Sequence, residues 1–320
     1  MTIPGGFGVN LIAGLFSAML YGITTLQTYV YYMHYSEDTS AMKFIVAVIW
    51  ILDTLHVSSM CHMLYYYLIT KYGDLTSFEY IVWSFPASFL ANLFVIIIVQ
   101  SFFAHKIHYL CRREVRWMMT APIILLALAH FGFGMGIVGL MFANDEVSSV
   151  TKFWSSTELP CGVTGVLSEV LITVSLCVLL YDRGSDSAFP RTKRLLNTLI
   201  VYAVNRCLLT FLVGIAELVG TINKQDSWEM GMNFIMGKLY ANSLLASLNT
   251  RQHLRSLATS TVTNPRVGAI HFANLPKHSG DVGSSVDGGM QFDPRGMAVI
   301  DITTEPKSDK TTTTRREAEV

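Results

Sequence analysis

Charge is scarce in this chain: 14% of its residues are Asp, Glu, Lys or Arg, where a soluble domain carries about 25%. That shortage argues against an ordinary water-soluble fold, and no nucleic-acid partner is expected. The stretch Met1 to Val9 holds no Lys or Arg, so it lacks the basic start of a secretory signal. The apolar run that follows is too long for a signal core and reads as an uncleaved first crossing. No Asn-x-Ser/Thr triplet occurs, so N-glycosylation is not predicted. Of five cysteines, only Cys161 falls near the expected outer face, so no intrachain disulfide is expected. Cys111 lies beside a basic run where palmitate could attach, but an unmodified thiol is the expectation. The ending Glu-Ala-Glu-Val carries no prenylation or retention signal.

What the chain has is apolar length. Apolar residues make up 51% of it, and the mean hydropathy is +0.42. Seven apolar stretches, 9–32, 43–68, 84–104, 119–142, 161–181, 196–219 and 230–250, each approach a bilayer crossing, which takes roughly 20 residues. Backbone groups cannot stay unpaired in hydrocarbon, so these stretches predict helices. A membrane barrel would instead alternate over about 10 residues. The expected fold is all-α, a seven-helix bundle over residues 1–255, followed by a polar tail, 256–320, too poor in apolar residues to fold. Ser and Thr in that tail are read as ordinary solvated residues.

Basic residues set the expected threading. Lys106, Arg112, Arg113 and Arg116 follow the third stretch, and Arg183, Arg191, Lys193 and Arg194 follow the fifth. The alternate loops hold one Lys each: Lys71, Lys152 and Lys224. The positive-inside rule puts the N-terminus outside and the C-terminus in the cytosol. Trp83, Trp154 and Trp228 fall at the outer boundary on this reading, and Trp117 and Tyr181 at the inner one. Arg112, Arg113, Arg116, Arg191, Lys193 and Arg194 are candidate contacts for a cytosolic protein partner, beside the plainer reading that they only orient the chain.

Depth gives the candidate site. At about 1.5 Å per residue, Asp53, Glu169, Arg206 and Lys238 all fall near the bilayer midplane, with His56, Asn92 and His130 at similar height and Asn242 one turn beyond Lys238. Charges there are costly unless paired or hydrated, and they normally face the bundle interior. Helical spacing groups Asp53, His56 and Met60 on one stripe, Arg206, Thr210 and Glu217 on another, and Lys238, Asn242 and Asn249 on a third. The stripes are expected to converge on one cavity or ion-pair layer that takes a small ligand or ion, in preference to packing alone. Gly132 and Gly136 make a small-xxx-small face expected to admit a neighbouring helix.

Known seven-helix chemistries fit poorly. The position one turn before Lys238 is Phe234, not the Asp of a retinal pump, and helix three offers only Asn92 and Gln100 as counter-ion candidates. Helix three ends Phe102-Phe103-Ala104-His105-Lys106, without Asp-Arg-Tyr, and no Asn-Pro-x-x-Tyr follows in helix seven. His56 and His62 sit about 120° apart on one helix, against a shared metal. Pro86, Pro122 and Pro160 are expected at helix starts and not in broken transporter helices. No catalytic residue, metal or cofactor is expected, and the chain is not read as an enzyme.

The stretch Gly237-Lys238-Leu239-Tyr240-Ala241-Asn242-Ser243-Leu244-Leu245-Ala246-Ser247-Leu248-Asn249-Thr250-Arg251 resembles the closing signature of a large fungal family. Its members are seven-helix membrane proteins carrying the domain of unknown function 6534. Gln100-Ser101-Phe102-Phe103-Ala104-His105-Lys106-Ile107 is similar to that family too. The resemblance implies a domain over roughly helices five to seven, a topology match over 9–255, and no assigned activity. Lys238, Tyr240, Asn242, Ser243 and Asn249 carry over as matching positions. Helix six departs: Arg206-Cys207-Leu208-Leu209-Thr210 stands where a Thr-Gly-Leu-Leu-Thr-like run is expected, which removes Arg206 from any family-wide mechanism. The expected function is that of a multi-pass membrane protein of receptor or sensor type. A transporter or ion-translocating protein and a non-catalytic scaffold are the alternatives, in the plasma membrane or an internal one.

Overall fold

A computed structural model describes residues 7–144, 146–147, 153, 156–185, 208–223 and 226–260. Its helices are α1 (Phe7–His34), α2 (Ser40–Tyr65), α3 (Ser84–Leu110), α4 (Arg116–Ala143), α5 (Glu158–Ser185), α6 (Leu208–Ile222) and α7 (Asp226–Ser260). Among the described residues there is no strand, only an isolated antiparallel bridge between Tyr80 and Glu146 that joins two loops at one end of the bundle. Five helices, α1 to α5, are long and apolar enough to cross a membrane. α1 and α4 run past both predicted ends, and α3 opens at the predicted Ser84 but runs on to Leu110, because helical pairing continues beyond the apolar run until a turn satisfies the backbone.

The polarity of α1 is turned inside out relative to a soluble helix. Asn10, Ser17, Thr24 and Thr28 are buried on one face, while Leu15, Met19 and Leu26 are each more than 60% exposed on the other. In water that arrangement would leave a large sticky surface. In lipid it is the lower-energy solution, since only the polar face needs partners.

Neighbouring helices pack in chain order from α1 to α5, and α7 lies against α1 along its length while also touching α2 and α3. Tyr240 of α7 bonds Glu169 of α5, and Met236 meets Gly214 of α6. α7 therefore meets protein on nearly every side. From Asn233 to Thr250 its polar side chains are buried or half-buried, so low hydropathy does not exclude it from the membrane.

Two apolar clusters hold the bundle. One joins Tyr31, Ile49, Val99, Ile107, Leu176 and Leu244 in the half near the α3–α4 turn. The other joins Ala13, Met60, Met63 and Phe234 at the opposite end. Between α3 and α4 the close approach is made by Gly134, where a Cβ would stand 2.7 Å from Leu93. This corrects the expectation for Gly132 and Gly136: Gly132 meets open space, and Gly136 only reaches Thr157 at 4.0 Å. Pro122 is also displaced from expectation. α4 begins at Arg116, so the proline falls in the second turn and not at the start.

The connection from α2 to α3 is built by local chemistry. A π-helical turn, Tyr66–Thr70, extends α2, and Gly73 takes φ 84°, open to glycine at little cost. Asp74 then caps the short helix Leu75–Glu79 by accepting from the Thr76 amide. The Thr76 hydroxyl donates to the same carboxylate at 2.6 Å and holds the Asp74 carboxyl below its ordinary value. Tyr67 ties the loop down, donating to Tyr80 O at 2.6 Å and accepting from the Val82 amide. At the other end, the Cys111 thiol is buried 3.6 Å from Met119 Sδ.

Candidate functional site

The predicted polar residues within the described helices fall into two groups on opposite faces of α7. The first centres on Lys238, whose Nζ lies 2.5 Å from Asp53 Oδ1 and donates to Asp53 O at 3.0 Å. The side chains are 0% and 2% exposed. The Tyr21 ring lies 5.4 Å from the ammonium, giving it an aromatic face. His56, one turn along α2, packs edge-on against Phe234, and neither of its ring nitrogens finds a hydrogen-bond partner. Asn242 donates to Leu20 O and Lys238 O, stitching α7 to α1.

The second group faces α3, α4, α5 and α6. Glu169 accepts from Thr210 at 2.6 Å and from Tyr240 at 2.8 Å, one hydroxyl on each carboxylate oxygen. Asn92 donates to Asn233 through both its main-chain and side-chain oxygens, at 3.0 and 3.2 Å. Asn233 in turn donates weakly to Glu217 at 3.5 Å. His130 Nδ1 donates to Cys161 O at 3.0 Å. These side chains line one cavity of about 70 Å³. Glu158, Thr221 and Glu229 line it toward the helix ends, and Glu169 and Tyr240 line its inner part. At about 1.5 Å per residue the reach from Glu158 to Glu169 along α5 is roughly 16 Å.

The division has a simple cause. Lys238 and Tyr240 are two residues apart on one helix, so they project about 200° apart. Lys238 and Asn242 thus turn toward α1 and α2, while Asn233, Met236 and Tyr240 turn toward the cavity. Of the predicted site residues, Asn92, His130 and Glu169 line the cavity, and Asp53, His56, Lys238 and Asn242 do not. Arg206 lies outside the described residues, as do Arg191, Lys193 and Arg194. Arg112 and Arg113 are exposed in the turn between α3 and α4, and Arg116 is half-buried at the start of α4. Three histidines within the helices are held apart, His56 against Phe234, His62 against Ser84 and His130 against Cys161.

Asn233 is a cavity residue that the midplane count passes over. The signal lay in the i, i+3, i+7 spacing of Asn233, Met236 and Tyr240, a second face on the same helix. Gly237 belongs to the site as well. A Cβ there would overlap Asn92 Oδ1, so glycine is what lets Asn92 cross over to α7.

The cavity's size restricts its occupants. Drug-sized ligands take pockets of about 300–1,000 Å³, whereas one water needs roughly 10–15 Å³ on the same kind of measure. Several waters, or a small cation keeping part of its hydration, fit the space and its carboxylate and amide lining.

No curated protein and no solved structure matches the chain. Residues 165–253, which begin in α5 and end in α7, match the family of unknown function DUF6534.

Proposed function

We propose that this chain crosses the membrane seven times, with its N-terminus outside, and acts as a receptor-like sensor of a small cation or protonated amine. The single observation carrying the reading is the cavity's lining, with carboxylates from the helix ends inward to Glu169. Its lining runs from the ends of α5, α6 and α7 inward to Glu169 and Tyr240, where the apolar cluster around Val99, Leu176 and Leu244 takes over. A hollow with Glu169 in its inner part and packed hydrocarbon beyond suits a ligand that enters from the helix ends and is not passed on. Charged groups inside a membrane are costly and mark ion or substrate sites. The seven-crossing count is supported by the position of α7 among its neighbours, and the orientation by the basic loops. A cytosolic partner would meet the turn carrying Arg112 and Arg113.

The test is a thermal-shift panel on the purified full chain in nanodiscs, using sodium, calcium, ammonium and methylammonium. One of these raises the unfolding midpoint of the natural protein and fails to do so for Glu169→Gln or Glu217→Gln. A panel in which no cation shifts the midpoint sinks the reading. The same acids support ion translocation as a second reading, since Glu169 lies deep in α5. Cation flux across proteoliposomes, abolished by Glu169→Gln, would select it. If neither shift nor flux occurs and charge-neutralising variants change only stability, a scaffold role stands instead.

A further inference from the structure

A second hollow lies between α2 and α3, and it shares no lining residue with the polar cavity. Its volume is about 490 Å³, within the range of small-molecule sites. It opens on the apolar surface of the bundle, where Leu55, Trp83 and Phe94 are partly exposed. Ser59, Ala87 and Ala91 contribute only small side chains to it. The Ser58 hydroxyl donates to Thr54 O within its own helix, so it offers the hollow no free donor.

Beyond Ser58 and Ser59, the polar groups gather at one end. His62 Nδ1 lies 2.9 Å from Ser84 Oγ, and the His62 ring packs against Trp83 with centroids 5.1 Å apart. His62 Nε2 is left over for a ligand. Trp83 stands at the start of α3, at the level where indoles anchor to the membrane interface. From His62 to Leu52 the rise along α2 is about 15 Å, and from Trp83 to Phe94 along α3 about 16 Å. One leaflet of hydrocarbon is about 15 Å deep. The hollow therefore spans one leaflet, from headgroup level to midplane. No Lys or Arg lines it, so nothing there holds a phosphate.

We propose that this hollow is a sterol site: flat rings lie on Ser59, Ala87 and Ala91, and the single hydroxyl bonds His62. A rigid planar molecule with one hydrogen-bonding point and the length of one leaflet matches each of these features. A phospholipid would need a cationic contact that the hollow lacks.

The test uses the full chain in sterol-free phosphatidylcholine nanodiscs and a diazirine-bearing sterol, with labelled peptides mapped by mass spectrometry. Label is expected to concentrate on 52–62 and 83–94, and to be competed by unlabelled sterol but not by its 3-O-methyl ether. Ala87→Phe, which fills the hollow, should lower labelling about tenfold. Leu128→Phe, on the lipid-facing side of α4, should leave it unchanged. Label spread evenly over all lipid-facing helices overturns the proposal, as does equal competition by the ether. Equal labelling of the same peptides by a diazirine phosphatidylcholine overturns it too. Should Ala87→Phe fail to fold, the mapping and the ether competition on the natural chain decide alone.

Discussion

Lys238 of α7 and Asp53 of α2 form an ion pair shut off from solvent, with Nζ 2.5 Å from Oδ1. Breaking such a pair leaves one charge uncompensated in low dielectric. Lys238→Met is expected to cost about 3–5 kcal/mol, and the double variant Asp53→Leu/Lys238→Met to recover most of it. Thermal unfolding of the purified chain, read as a double-mutant cycle, checks this. Equal losses in the single and double variants would show that packing, not charge, is what the pair supplies.

Two glycines should respond in opposite directions to the same added methyl. Gly237→Ala drives a Cβ into Asn92 Oδ1 and should destabilise by about 1–3 kcal/mol, the range for overpacking. Gly139→Ala meets nothing within 4 Å and should stabilise α4 by about 0.5–1 kcal/mol. Unfolding midpoints of the two variants, measured side by side, test the contrast.

The cavity acid depends on its hydroxyl donors. Tyr240→Phe and Thr210→Val each remove one bond to Glu169, and each should cost about 1–3 kcal/mol because the oxygen left behind is buried. If Glu169→Gln restores the stability of Tyr240→Phe, the penalty lay in the carboxylate. Unfolding midpoints of the three variants report it.

The Asp38–Arg251 pair is a milder case. Its side chains are 35% and 21% exposed for Arg251 and Asp38 respectively, and Arg251 also stacks on Tyr35 with 4.9 Å to the ring centroid. Arg251→Gln is expected to cost only about 1 kcal/mol. The difference from the natural chain should shrink as salt is raised. A gap that ignores ionic strength would assign Arg251 to packing.

Much of this fold could be read from residue order, because lipid imposes one rule on every crossing: twenty apolar residues and an internally paired backbone. The stretch 84–104 opens where α3 opens, at Ser84. Depth alone also brought Asp53 and Lys238 to one level, and the structure joins them. Height along a helix does not give azimuth between helices, however. Glu169 shares their level and sits across α7 from them. Close packing was equally illegible: Gly132, Gly134 and Gly136 look alike in sequence, and only Gly134 has Leu93 opposite. Predicting which glycine is crowded requires the partner helix's rotation, which no local pattern encodes.

Ser17 donates to Phe234 O, Asn242 to Leu20 O, Asn249 to Gln27 O, and Tyr35 to Asn249 O. The first three bonds join the first helix to the last, and Tyr35 adds one from the residue just after the first. A ribosome makes α1 before α7. Until α7 is made, the hydroxyls of Ser17 and Tyr35 therefore lack these acceptors. A chain halted before α7 would leave that polar seam without the helix that covers it.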